Sequence, residues 1–160
     1  SNFYSNRNGN FSIMAHCAEI KQKIDPTGFT SNNIWIVERV IVVCNSEPDP
    51  EGWCTKLFGG TWKQCSYTNS IRNKFPGPGY VYDEVADVFL TQQPSASWTR
   101  NDEHMWVAPI PVPTTKPLDP NNDPTGGPNM WDEENQRWYC DKMDGTNESW
   151  LWNSDTLTWE

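Results

Sequence analysis

Four pairs of aromatic residues at near-constant spacing constrain this chain more than any other feature. Tyr82 and Phe89, Trp131 and Trp138, and Trp152 and Trp159 each lie seven positions apart, and Trp98 and Trp106 lie eight apart. Polar, turn-forming residues fill the gaps, as in Asp132-Glu133-Glu134-Asn135-Gln136-Arg137 and Asn153-Ser154-Asp155-Thr156-Leu157-Thr158. Two geometries bring such rings together. In a helix, positions i and i+7 share a face; in a tight hairpin, the rings oppose each other across the strands. Asn, Asp, Ser and Thr favour turns over helix interiors, and Pro- or Gly-containing breaks leave each unit too short for a stable helix. The spacing predicts hairpins, each clasped by its own ring pair. An isolated hairpin is marginal, so these are expected to stack on one another, on a core or on another protein. The competing use of such rings is to bind sugars, a role that needs solvent-exposed Trp faces with polar groups beside them.

The rings matter because aliphatic residues are scarce. Leu, Ile, Val and Phe number 28 of 160 residues, and the formal net charge is −9. That combination ordinarily signals disorder. Ten Trp, five Tyr and six Phe offset it, since each buried aromatic removes roughly 150–250 Å² from water. The chain is therefore expected to fold around a ring-rich core. No apolar run approaches the ~18 residues of a membrane span, and Ser1 to Ile13 has neither the basic start nor the apolar stretch of a secretory signal.

Charge divides the chain. Residues 1–80 carry net +2 and residues 81–160 net −11. An acidic C-terminal half argues against direct nucleic-acid binding, which needs Lys and Arg along the phosphates, and it keeps an aromatic-rich surface soluble. The five cysteines, Cys17, Cys44, Cys54, Cys65 and Cys140, show no CxxC or Cys/His spacing of a zinc site. Reduced thiols in a protein made in a cytoplasm are the expectation; one disulfide stays open, with no pairing readable.

The expected fold class is α+β: a small, mainly β core over 14–90 with one short helix, then a Pro-rich extended segment over 91–128 that includes one Trp hairpin, then Trp hairpins over 129–160. Residues 1–13, polar and rich in Asn, read as a flexible arm. Ala15 to Ile20 reads as a strand. Ile34 to Val43, β-branched and almost continuously apolar, reads as a central strand covered on both faces, with Glu38 and Arg39 marking a bend or an edge. Pro48 to Phe58 carries an i, i+1, i+4, i+5 apolar face, early acids and a terminal Gly59-Gly60, the marks of a short helix. Thr61 to Tyr67 returns to strand, and Asn69 to Gly79 reads as a loop. Eight prolines fall between Pro94 and Pro128. Pro109-Ile110-Pro111-Val112-Pro113 must be extended and is barred from a central strand, leaving a stiff spacer or an arm docked on another surface.

Several segments resemble a family of small uncharacterised proteins of tailed phages that infect marine cyanobacteria and other ocean bacteria. The resemblance rests on Met14-Ala15-His16-Cys17-Ala18-Glu19, Arg39 to Val43, and above all Leu57-Phe58-Gly59-Gly60-Thr61-Trp62-Lys63-Gln64-Cys65-Ser66-Tyr67. It continues through Tyr82-Asp83-Glu84, Ser97-Trp98, Trp106, the Pro109–Pro113 stretch and Trp131-Asp132-Glu133-Glu134 with Trp138, so that it covers roughly residues 14–138. Three departures stand out: the residues before Met14, an extra stretch near Ile24 to Asn33, and a further Trp unit after Tyr139. The resemblance implies a phage origin and a particle component, with no enzyme activity.

No catalytic motif is present. The carboxylate pairs Asp83/Glu84, Asp102/Glu103 and Glu133/Glu134 lie in turns, whereas glycoside cleavage needs two carboxyls about 5–9.5 Å apart across a sugar. Asp119 to Gly126 loosely follows a calcium loop, but Pro124 stands where an EF-hand needs glycine and no Glu follows at the twelfth position, so it reads as a turn. The expectation is a virion protein of head or tail, made in the host cytoplasm, without cofactor, metal, nucleic-acid or membrane partners, that binds other particle proteins in many symmetric copies. Phe3, Tyr4, Phe11, Ile110, Val112, Trp150, Trp152 and Trp159 are the candidate contacts. Tyr82, Phe89, Trp98, Trp106, Trp131 and Trp138 are the structural clasps. The alternatives are a receptor- or glycan-binding module of a tail fibre, and an enzyme degrading the host envelope.

Overall fold

A computed structural model describes residues 3–5 and 11–160, with side chains from Met14 onward. The chain is mostly β with one short helix, 36% strand and 6% helix. It divides into two compact units, residues 1–92 and 93–160.

The first unit opens with two short strands, β1 (Phe3–Ser5) and β2 (Phe11–Ile13), paired antiparallel. The side chains of Phe3, Tyr4 and Phe11, named above as contacts, lie outside the described residues. Then follow β3 (Ala15–Ile24), β4 (Asn33–Val43), helix α1 (Pro50–Phe58), β5 (Thr61–Cys65), β6 (Val81–Asp83) and β7 (Val88–Leu90). They form a curled antiparallel sheet in the order β5-β3-β4-β6-β7.

β3 runs four residues past the Ile20 at which the sequence reading stops. Its first half is buried, while Lys21 to Ile24 is exposed. This tail belongs to a long hairpin with β4, whose tip is organised by Asp25. The Asp25 carboxylate accepts from the amide and hydroxyl of Thr27 at 2.9 and 2.6 Å and from those of Thr30 at 3.2 and 3.3 Å. The extra stretch near Ile24 to Asn33 is thus a hairpin tip, closed by an Asp that caps its own loop.

β4 is the middle strand, but it is not covered on both faces. Ile36, Val37 and Val43 are buried while Val42 is 48% exposed. The antiparallel sheet leaves part of one face to solvent, as antiparallel sheets do. Glu38 sits at a bulge: Glu19 pairs with Arg39 and the next residue, Ile20, with Val37, so Glu38 has no partner in the register. Its carboxylate instead pairs with Lys23.

Helix α1 starts at Pro50, two residues later than the sequence suggests. Proline suits the first helical turn, and Asp49 caps it by accepting from the Gly52 amide at 3.0 Å. Gly59 ends it with φ +70° and donates to the Thr55 carbonyl at 2.8 Å. The helix covers one sheet face through Cys54, which joins Ala15, Cys17, Val43 and Trp62 in a buried cluster. Ala18, Ile20, Val37, Cys65, Tyr82 and Phe89 form the second cluster. Alternation along β3 sends Cys17 to the first and Ala18 to the second. Arg72 ties three elements together. It donates to Glu51 at 3.0 Å, to the Gln64 carbonyl at 2.9 Å and to Asp87 at 2.7 Å.

The second unit contains a small hairpin, β8 (Thr99–Arg100) and β9 (Trp106–Val107), and a four-stranded antiparallel meander of β10 (Met130–Asp132), β11 (Arg137–Asp141), β12 (Ser149–Asn153) and β13 (Thr158–Trp159). Between them lies the proline-rich strap, residues 109–117, outside any strand. Asp119 to Gly126 is a tight turn. The Asp119 carboxylate accepts from the Asn121 and Asp123 amides at 2.8 and 2.9 Å.

Candidate interaction site: ring-clasped hairpins and a proline strap

Three hairpins share one local design. In each, the aromatic residues sit directly opposite: Tyr82 with Phe89, Trp131 with Trp138, Trp152 with Trp159. The ring centroids are 5.4, 5.3 and 5.3 Å apart, tilted or edge-on, the arrangement that aromatic quadrupoles favour. The residue after the first ring is Asp83, Asp132 or Asn153. Its side chain accepts from loop amides: Val85 and Ala86, Asn135, and Asp155 and Thr156. Two residues before the second ring the backbone turns left-handed, at Asp87, Gln136 and Leu157, with φ of 55°, 48° and 57°. The turn is encoded by Asx chemistry at its start; the left-handed residue before the second strand sets the strands' twist.

The eight-residue spacing behaves differently. Strand pairing puts Arg100, not Trp98, across from Trp106, so no clasp of the expected kind closes this hairpin. One additional loop residue shifts the register, and a one-residue shift moves a side chain to the other face. Asn101 caps the loop instead, accepting from the Glu103 and Met105 amides at 3.0 and 2.9 Å. Trp98 turns to Trp131 and Trp138, with centroids 6.2 and 5.8 Å away. Glu133 locks this cluster, accepting from the Ser97 amide and hydroxyl at 2.8 Å each and from the Trp131 indole at 2.7 Å. Those bonds, Trp131's first, hold its carboxyl below the usual carboxylate range.

The meander's rings then hold the strap. Prolines bring no amide, so a proline segment is fastened through its carbonyls. Trp138 donates its indole N–H to the Ile110 carbonyl at 2.9 Å, Asn129 its amide to Pro113 at 3.2 Å, and Trp159 its indole to Thr115 at 3.0 Å. The Thr125 backbone donates to Pro117 at 2.9 Å. Pro113 and Pro117 are buried, whereas Pro109 and Pro111 are exposed and Val112 is 54% exposed. The extended stretch is therefore a docked arm within its own unit. Among the terminal rings, Trp152 is largely buried, while Trp150 and Trp159 are half-buried, and Trp150 has Lys142 over its ring at 5.1 Å.

All five cysteines are free. Burial raises the Cys17, Cys54 and Cys140 thiols and pushes Cys65 up to about 12, which keeps them protonated. Only Cys44 is exposed, and its thiol is lowered by the Ser46 hydroxyl 3.0 Å away. Among the described residues no cluster of three or more His, Cys, Asp or Glu side chains is arranged to hold a metal, and no helix is long and apolar enough to cross a membrane. Sequence reading missed Glu133 and Asn129 as fastening residues. Glu133 looked like one more solvated turn acid, and only the approach of Ser97, 36 residues earlier, distinguishes it.

No family model matches this chain, and no curated protein or solved structure is similar to it.

Proposed function

We propose that this chain is a structural accessory protein of a phage particle, of the head surface or the tail, that works by binding other particle proteins and performs no catalysis. The observation that carries the reading is the strap. Four of its carbonyls are fixed by donors from the meander and the adjoining loop, while Pro109, Pro111 and Val112 stay exposed. A preformed extended edge loses little conformational entropy when a partner groove receives it, which is the advantage of polyproline recognition. Repetition by particle symmetry would multiply a modest single contact. The resemblance of residues 14–138 to small phage proteins supports the same reading, as does the use of the clustered carboxylates as turn caps and ring anchors.

The protein would be made in the host cytoplasm and function in the virion. Mass spectrometry of purified particles tests this directly. The expected result is this chain at a fixed copy ratio to the shell or tail protein. Its absence from particles removes the proposal. Val112→Asp should lower that ratio without unfolding the chain, because Val112 is exposed.

A further inference from the structure

The sequence leaves one disulfide open and names no pair, but the first unit sorts the four cysteines it contains. Cys44 is exposed, and its sulfur meets the Ser46 hydroxyl at 3.0 Å. Cys65 belongs to the cluster around Val37 and Phe89, the one that Ala18 faces and Cys17 does not. Cys17 stands in β3 between Ile41 of β4 and Gln64 of β5, with its side chain on the helix side. Cys54 comes down from α1 to meet it. Pro50 and Cys54, one helical turn apart, are the buried residues of that helix. Cys17 and Cys54 are both 0% exposed and share one cluster with Ala15, Val43 and Trp62, where the Cys17 thiol donates to the Cys54 sulfur. Two sulfurs 37 positions apart in the chain, one on a strand and one on a helix, are thus in hydrogen-bond contact.

We infer that Cys17 and Cys54 are a latent disulfide, which closes when the chain meets a small disulfide such as oxidised glutathione and then ties α1 to β3. Bond formation draws the sulfurs from contact to about 2 Å, a shift that a short helix anchored by two buried residues can follow. Burial raises both thiols, so the closed fold holds them protonated and slow to react. Reaction proceeds through brief local openings of α1. In the open state the Cys54 thiolate attacks one sulfur of the small disulfide and expels the first glutathione thiolate. The Cys17 thiolate then attacks the Cys54 sulfur and expels the second. Two protein thiols are oxidised, one small disulfide is reduced to two thiols, and the protons lost by the cysteines pass to the leaving thiolates. A cytoplasm keeps such a pair reduced, and an oxidising exterior closes it. The chemistry does not rest on the particle reading, which supplies only the change of surroundings.

The test uses the full chain carrying Cys44→Ser, which removes the exposed thiol and with it cross-linking between copies, held for hours in oxidised glutathione at mildly alkaline pH. Two of the four remaining thiols should disappear, with the intact mass falling by two hydrogens. A non-reducing digest should yield one cross-linked peptide pair that contains Cys17 and Cys54. The melting temperature should rise by about 5 °C or more, because the closed loop constrains the unfolded chain, and dithiothreitol should reverse every change. Persistence of all four thiols, glutathione adducts without a cross-link, a link between any other pair, or a melting temperature that does not rise overturns the inference. Incorporation into particles reads out the proposed function separately.

Discussion

The Trp138 indole donates its N–H to the Ile110 carbonyl oxygen at 2.9 Å, and Trp159 does the same to Thr115 at 3.0 Å. The second ring of each C-terminal hairpin therefore has two tasks: its face closes the hairpin on its partner Trp, and its edge fastens the strap. Trp serves both at once because it is the large aromatic that also carries a donor.

Replacing Trp138 with Phe keeps a ring in the clasp but leaves the Ile110 carbonyl without its donor. Losing this part-buried hydrogen bond costs ~0.5–1.5 kcal/mol, and the lost volume of the buried ring adds to it. Trp159→Phe should cost less, about 1 kcal/mol, because its bond lies at an exposed position where water can replace the donor. Urea unfolding followed by near-UV circular dichroism checks the order of the two, and amide exchange at Ile110 and Val112 should rise in Trp138→Phe first.

The first unit should have both acid and alkaline limbs that trace to one hairpin. Asp87 is held below the usual carboxylate range by the Tyr82 hydroxyl first and by Arg72 second. A depressed carboxylate stabilises the fold above its unfolded pKa, ~4, and that contribution disappears as pH falls through its lower folded value. Burial, and then Asp87, push the Tyr82 phenol up to about 12. A raised phenol stabilises below its unfolded pKa, ~10, and the contribution is lost as pH climbs from there to about 12. Stability of the wild type should fall at both ends. Asp87→Asn should flatten the acid limb, and Tyr82→Phe the alkaline one, in melts recorded across pH.

Much of this fold was legible because its signals are local. Gly59 and the Pro50 to Phe58 face mark α1, and seven-residue ring spacing marks the hairpins, since turn length and register follow from nearby residues. What stayed hidden depends on distant partners. Nothing near Ile110 states that its carbonyl meets Trp138, and nothing near Glu133 points to Ser97. The Trp98 and Trp106 spacing looked like a longer copy of the other three, but one added loop residue changed the register. Tyr139, half-buried on β11, carried no sequence signal, since its environment follows from which side of β11 the strap occupies.

Leu157 offers a stabilising change. It holds φ at 57°, a left-handed conformation that costs an L-residue with a side chain roughly 1–2 kcal/mol, and it is 68% exposed, so its side chain buries little there. Leu157→Gly removes that strain but adds unfolded-state entropy. The net expectation is a gain of about 0.5–1 kcal/mol, read as a higher urea midpoint with unchanged slope. A lower midpoint would mean that the leucine packs more than its exposure indicates.

Thiol titration separates the cysteines. Cys17, Cys54, Cys65 and Cys140 are buried with raised thiols, while Cys44 is exposed with a lowered one. Reactivity follows the exposed thiolate. A disulfide reagent should modify Cys44 rapidly in the native protein and all five cysteines only in denaturant. Cys44→Ser should abolish the fast phase. Fast modification of a second thiol in the native state would show that one of the buried clusters opens readily.

Gly126 and Gly145 make a matched pair for separating strain from packing, since both hold left-handed backbone, φ +84° and +85°. A side chain added at Gly145 meets open space, so Gly145→Ala carries the backbone cost alone, roughly 1–2 kcal/mol. At Gly126 the added carbon would lie 2.9 Å from the Cys140 sulfur and 3.2 Å from Pro117, and both neighbours are fully buried. Neither has room to yield, because Pro117 anchors the strap through its carbonyl and Cys140 sits in the middle of β11. Gly126→Ala should therefore lose the same backbone term plus an overpacking term of ~1–3 kcal/mol. Thermal melts of the two variants measure the difference, and Gly126→Ala should also speed amide exchange at Thr125, whose N–H donates to Pro117. Equal melting temperatures would mean that the strap shifts freely over β11, contrary to its fastening by the indoles.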